Sequence, residues 1–189
     1  MRSAYQRLPE ARLGLEKFVQ LRGLHPPKRA AVMIVLVLLS LALFLIYIAC
    51  VVKKYGVPPS LSRSYFSLQH KYWFTVTMFV CFALMLVPCV ESMPDMWKFV
   101  AFITAASGFF IGAAPNLNEE LENKVHMTGA IVLAIASQLM VWFLCPWFLI
   151  CWICIVEILI RDGKNVKFWV EMIGGAILYA ALLFHYIVI

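Results

Sequence analysis

The chain has 189 residues, of which 63% are apolar and 14% charged, and a formal net charge of +6 at neutral pH. A soluble domain of this length fills its core with far fewer apolar residues. The composition therefore excludes an ordinary soluble globular domain and points to an all-α, polytopic transmembrane helical bundle.

Residues 1–30 form the one segment with soluble character. Arg2, Arg7, Arg12, Lys17, Arg22, Lys28 and Arg29 stand against Glu10 and Glu16, while Leu8, Ala11, Leu15, Phe18 and Val19 recur at helical spacing. The spacing predicts an amphipathic basic helix able to lie in the headgroup region of anionic lipid. The simpler reading is a cytoplasmic arm that satisfies the positive-inside rule. Both place the N-terminus in the cytoplasm. No small-residue cleavage site follows the apolar run, so no signal peptide is expected.

Residues 31–189 read as the bundle. Ala31–Val52 carries no charge and is long enough to span a hydrocarbon core of ~30 Å as a helix. Tyr72–Val90 holds Pro88 near its end, Trp97–Ala114 lies between Pro94 and Pro115, and Phe168–Ile189 closes the chain. Met127–Ile160 decides the span count: as one helix its roughly 34 residues would rise about 51 Å, well beyond the core. Cys145–Pro146 lies near its middle, and proline ends or kinks helices. Two short spans, Met127–Leu144 and Trp147–Ile160, give six in all. The charge rule prefers five, because six spans divide the basic residues evenly between the two sides. Five would move Arg161, Lys164 and Lys167 to the side of the arm. Length takes precedence here, and five spans are the alternative.

Small residues mark where helices meet. Gly108 and Gly112 form a GxxxG with Ala105 one turn earlier. Span four offers Gly129, Ala130, Ala134 and Ser137, and the last span offers Gly174, Gly175, Ala176 and Ala180. These faces fit packing within one chain, with a homo-oligomer or a protein partner as the alternative. Cys50, Cys81, Cys89, Cys145, Cys151 and Cys154 all fall inside spans or at their ends. Cys151-x-x-Cys154 has no basic neighbour to favour a thiolate and no second CxxC, so packing thiols are expected. Glu157 precedes Arg161, and Glu171 follows Lys167, by one helical turn, a spacing that suits interfacial ion pairs.

His25, His70, His126 and His185 show no metal-binding spacing. Nor is there a GxSxG, a phosphate-cradling glycine loop or a DNA-reading module. No catalytic centre, cofactor, metal or nucleic-acid partner is therefore expected. One juxtaposition stands out. The loop with Glu119, Glu120 and Glu122, leading into His126, falls on the same extracytoplasmic side as Ser60, Ser62, Arg63 and His70. An acidic loop facing a basic, hydroxyl-rich one makes these eight residues candidates either to lock the loops together or to bind a ligand.

The same places carry a family likeness. Pro59-Ser60-Leu61-Ser62-Arg63-Ser64 resembles the Pro-x-Ile-Ser-Asp-Thr segment after span one of the Frag1/DRAM/Sfk1 group of six-span membrane proteins. Val125-His126-Met127-Thr128-Gly129-Ala130 resembles that group's Val-His-x-x-Gly-Ala at the start of span four. Arg63 stands where the group has an acid, and Tyr65 where it often has glycine. The resemblance implies a non-enzymatic protein with both termini cytoplasmic, from a group linked to lipid organisation and membrane trafficking. Together these readings point to a small multi-pass membrane protein, lipid-organising or accessory, with membrane lipids as partners. The alternatives are a small transporter or channel subunit, and an intramembrane zinc hydrolase of the alkaline ceramidase type. The latter lacks a third histidine on the side of His70 and His126.

Overall fold

The structure is a computed structural model. It describes residues 26–61, 64–116, 119–153, 157 and 165–188, the side chains of 26–27, 116, 119–120 and 122 excepted; the expected arm helix lies outside them. Every regular element among the described residues is helical. Helix α1 runs Pro26–Tyr55, and its opening prolines suit a first turn, where their fixed φ fits and their missing N–H leaves no bond unmade. It ends at Gly56, whose φ of +78° few side chains tolerate and whose N–H returns to the Val52 carbonyl at 2.9 Å. Then come α2 (Tyr72–Ser92), α3 (Lys98–Ala113), α4 (Glu119–Leu144) and α5 (Val166–Val188). Among the described residues five helices are long and apolar enough to cross a membrane, the architecture of a multi-pass helical membrane protein. Much of their apolar surface faces outward; Val35, Leu39 and Ile46 on α1 are exposed, as expected where lipid is the solvent.

Two boundaries differ from expectation. The acidic stretch before span four is not a loop but the first turns of α4. Glu119, Glu120 and Glu122 stand at a helix N-terminus, where the positive end of the dipole favours carboxylates. At the other end of α4, Cys145 adopts φ −159°, ψ 84°, because the proline that follows disfavours α geometry in the residue before it. The expected helical span Trp147–Ile160 begins instead as a 3₁₀ helix over Pro146–Cys151, and most of the rest lies outside the described residues.

Two packed clusters define the ends of the bundle. At the distal end Tyr47, Val51, Leu61, Tyr65, Phe74 and Phe168 pack together. At the proximal end, where α1 begins, Met85, Cys89, Val100, Val141, Ala181 and Leu182 do so. There the Arg29 guanidinium pairs with the Glu91 carboxylate, and the Tyr186 hydroxyl donates to the Pro88 carbonyl at 2.6 Å. Phe168 begins α5 in the distal cluster, and both α4 and α5 end in the proximal one. The two helices thus run parallel.

The glycines of α3 face α2 of the same chain. A Cβ on Gly108 would run into the Phe82 ring, and one on Gly112 would lie 3.0 Å from Met78 Cβ. Gly129 on α4 approaches α3 in the same way, 3.1 Å separating its Cβ position from Ile111. Mid-bundle, Ser40 joins three helices: its hydroxyl donates to the Cys81 carbonyl at 3.1 Å and shares a 2.8 Å bond with the Tyr179 hydroxyl.

Candidate functional site

At the distal end the chain between α1 and α2 folds inward. A 3₁₀ turn, Ser64–Ser67, carries Tyr65 into the bundle until only 1% of it is exposed. Its ring lies 5.2 Å from that of Phe74, and the His126 imidazole meets it edge-on at 6.0 Å. The Lys71 ammonium covers the outer side, 5.7 Å from the Tyr65 ring and 5.5 Å from that of Phe66, a cation–π arrangement. The Tyr47 and Ser64 hydroxyls share a 2.6 Å hydrogen bond that ties the turn to α1. The result is a plug of aromatic rings.

The candidates from the sequence divide among these surroundings. His126 and Ser60 are buried at the plug, while His70 is exposed with its ring 5.5 Å from Tyr72. Ser62 and Arg63 lie outside the described residues, as do the side chains of Glu119, Glu120 and Glu122. The residue that His126 packs on is Tyr65, which in the sequence stands in the hydroxyl-rich loop facing the His126 segment and was not among the eight candidates. Among the described residues no three His, Cys, Asp or Glu side chains are grouped to hold a metal ion.

Leu61, Phe74, Met78 and Ile111 belong both to the distal cluster and to the wall of a cavity of about 350 Å³. This lies within the ordinary range of small-molecule sites. Deeper, its wall is apolar except for Ser137 and Gln138 of α4 and Glu171 and Tyr179 of α5. On α5 the lining positions are Glu171, Gly174, Gly175 and Leu178, one helical stripe. Among the described residues the glycines leave the space open: a Cβ on Gly175 would meet nothing within 4 Å, and one on Gly174 nothing nearer than 3.9 Å. Ile131 and Ala134 of α4 line the cavity while exposed, so it reaches the outer face of the bundle. Trp152, folded back along α4, donates its indole N–H to Gln138 Oε1 at 2.8 Å. It stands between the cavity and a shallower groove past Leu139 and Trp142.

Sequence reasoning missed this cavity. Its signals were a lone glutamine in an apolar run and a glycine pair on the Glu171 face. Comparison with protein-family models, curated proteins and solved structures finds no match for this chain.

Proposed function

We propose that this protein is a multi-pass integral membrane protein, cytoplasmic at its N-terminus, that binds membrane lipid and has no catalytic centre of its own. The observation that carries this reading is the cavity, apolar over most of its wall and edged by a few polar groups on α4 and α5. Such a lining matches an amphiphile better than an ion or polar solute, which sets a transporter or channel subunit second. The lipid-linked character of the Frag1/DRAM/Sfk1 group agrees with it. In a mild detergent the purified chain is expected to retain lipid near one molecule per chain, read by extraction and mass spectrometry. Lipid only in proportion to residual bulk membrane would refute the reading.

The same proposal includes six crossings. Its support is the parallel run of α4 and α5, together with the fold-back of Trp152 onto Gln138 just past the end of α4. Single cysteines at His70 and Asn165, in a cysteine-free background, should both react with an impermeant reagent in intact cells, and one at Asp95 should not. Protection of Asn165 would mean five crossings.

A further inference from the structure

We propose that the cavity takes a neutral single-chain lipid that presents an accepting oxygen, of an alcohol or an ester, to the side-chain amide of Gln138; this rests on the lipid-binding reading above. The selection follows from which hydrogens in the wall are already spent. The indole N–H of Trp152 can only donate, so the end of the amide facing it is the oxygen, Oε1, at 2.8 Å. That contact settles which way round the amide lies. Its nitrogen then stands on the α5 side, 3.9 Å from the Cβ position of Gly174, and both residues line the cavity. One amide hydrogen goes to the Ser137 hydroxyl at 3.3 Å. The other remains for an acceptor.

The neighbouring polar side chains have no such hydrogen to offer. Ser137 donates to the Ala134 carbonyl at 3.1 Å. Ser40 spends its single hydrogen on the Cys81 carbonyl, so in its 2.8 Å contact with Tyr179 the tyrosine hydroxyl is the donor. Cys81 turns its thiol to the Ser40 carbonyl, and Glu171 is already engaged in an interaction of its own. Among the described residues the Gln138 amide is therefore the open donor of the wall, and it carries no charge. No Lys, Arg or His side chain is among the described residues of the lining. A carboxylate or phosphate there would lie at span depth without a counter-charge, where an ionised group is expensive. An ammonium has hydrogens to give and nothing to accept with, the reverse of what the amide needs. An ester or hydroxyl oxygen meets it with no charge to bury. Leu61, Phe74, Met78, Met85 and Leu178 leave the rest of the wall to a hydrocarbon chain, and a volume of about 350 Å³ suits one chain rather than two. The exposed rim at Ile131 and Ala134 gives that chain a route from the bilayer.

The test uses the full chain in mild detergent with methyl palmitate, hexadecane, palmitate and hexadecylamine as probes, each followed by native mass spectrometry and by the shift in thermal unfolding. Methyl palmitate should bind at one per chain, about threefold or more tighter than hexadecane, the measure of one hydrogen bond in lipid. Palmitate and hexadecylamine should bind about tenfold or more weaker than the ester. Gln138→Leu should abolish the preference for the ester over hexadecane while hexadecane binds as before. Should that variant fail to fold, Trp152→Phe takes its place: an amide free to turn should lose about half of the preference or more. The proposal is overturned by hexadecane that equals the ester, by a charged probe that equals it, or by a variant that keeps the full preference. In those cases co-purified lipid would leave the broader reading standing, whereas a wild type that binds no probe and retains no lipid would remove both.

Discussion

Glycines do opposite work on the two sides of α4. Toward α3 and α2, Gly108, Gly112 and Gly129 are places where a side chain would meet Phe82, Met78 or Ile111. Toward α5, nothing among the described residues comes within 4 Å of a Cβ on Gly175, and on Gly174 nothing nearer than 3.9 Å. In lipid no hydrophobic drive pulls helices together, and close backbone approach must supply the attraction. The first set supplies it. The second withholds it, and a cavity results. The same residue type thus builds a rigid half and an open half.

Substitutions can break or sharpen this contrast. The largest effect is expected from Gly108→Leu, which forces a branched side chain into the Phe82 ring; overpacking of this kind should cost about 3 kcal/mol. It is measurable as loss of folded protein in a denaturant titration, and Phe82→Ala in the same chain should recover part of it. If Gly108→Leu is silent, the tight half is not tight. Next, His126→Ala removes a buried ring from beside Tyr65 and should destabilise by roughly 2 kcal/mol, with His126→Asn milder because it keeps a polar group. Smaller still, Ser40→Ala deletes the junction among α1, α2 and α5, a loss of about 1 kcal/mol or less, since hydrogen bonds between helices in lipid average well below that. Thermal unfolding in detergent reads both. Smallest is Gly174→Ala, for which a change within about 0.5 kcal/mol or a slight gain is expected, because the new methyl would sit in ordinary contact, 3.9 Å from Gln138 and Trp152. A loss as large as that at Gly108 would show the two halves to be alike.

Much of the fold was legible because apolar runs of bilayer length leave little choice of element. The starts of α2, α3 and α5 fall within two residues of their expected positions. Pro146 stops α4 for the reason its chemistry gives. The start of α4 was misjudged because glutamates read as loop residues when polarity is the signal, whereas at a helix N-terminus they are favoured by its dipole. The site was less legible. His126 was singled out, but its neighbour Tyr65 depends on a loop folding inward, which no periodicity reports. The glycine pair of α5 was read as part of a packing face, since a run of small residues does not distinguish a helix pressed close from one standing off. Only the position of the neighbour decides that.

The lengths of two helices carry a consequence for the bilayer itself. Helix α1, of 30 residues, rises about 45 Å, whereas the third span, the 19 residues Asp95–Ala113, rises about 30 Å once its opening 3₁₀ turn is counted. A hydrocarbon core of ~30 Å matches the second and not the first. Tilt, or ends that stand in the headgroup region, takes up the excess of α1. Lys53 and Lys54 in its last turn and Arg29, paired with Glu91 near its start, bracket the uncharged Ala31–Val52. Charge at both ends holds a long helix against sliding along its own axis.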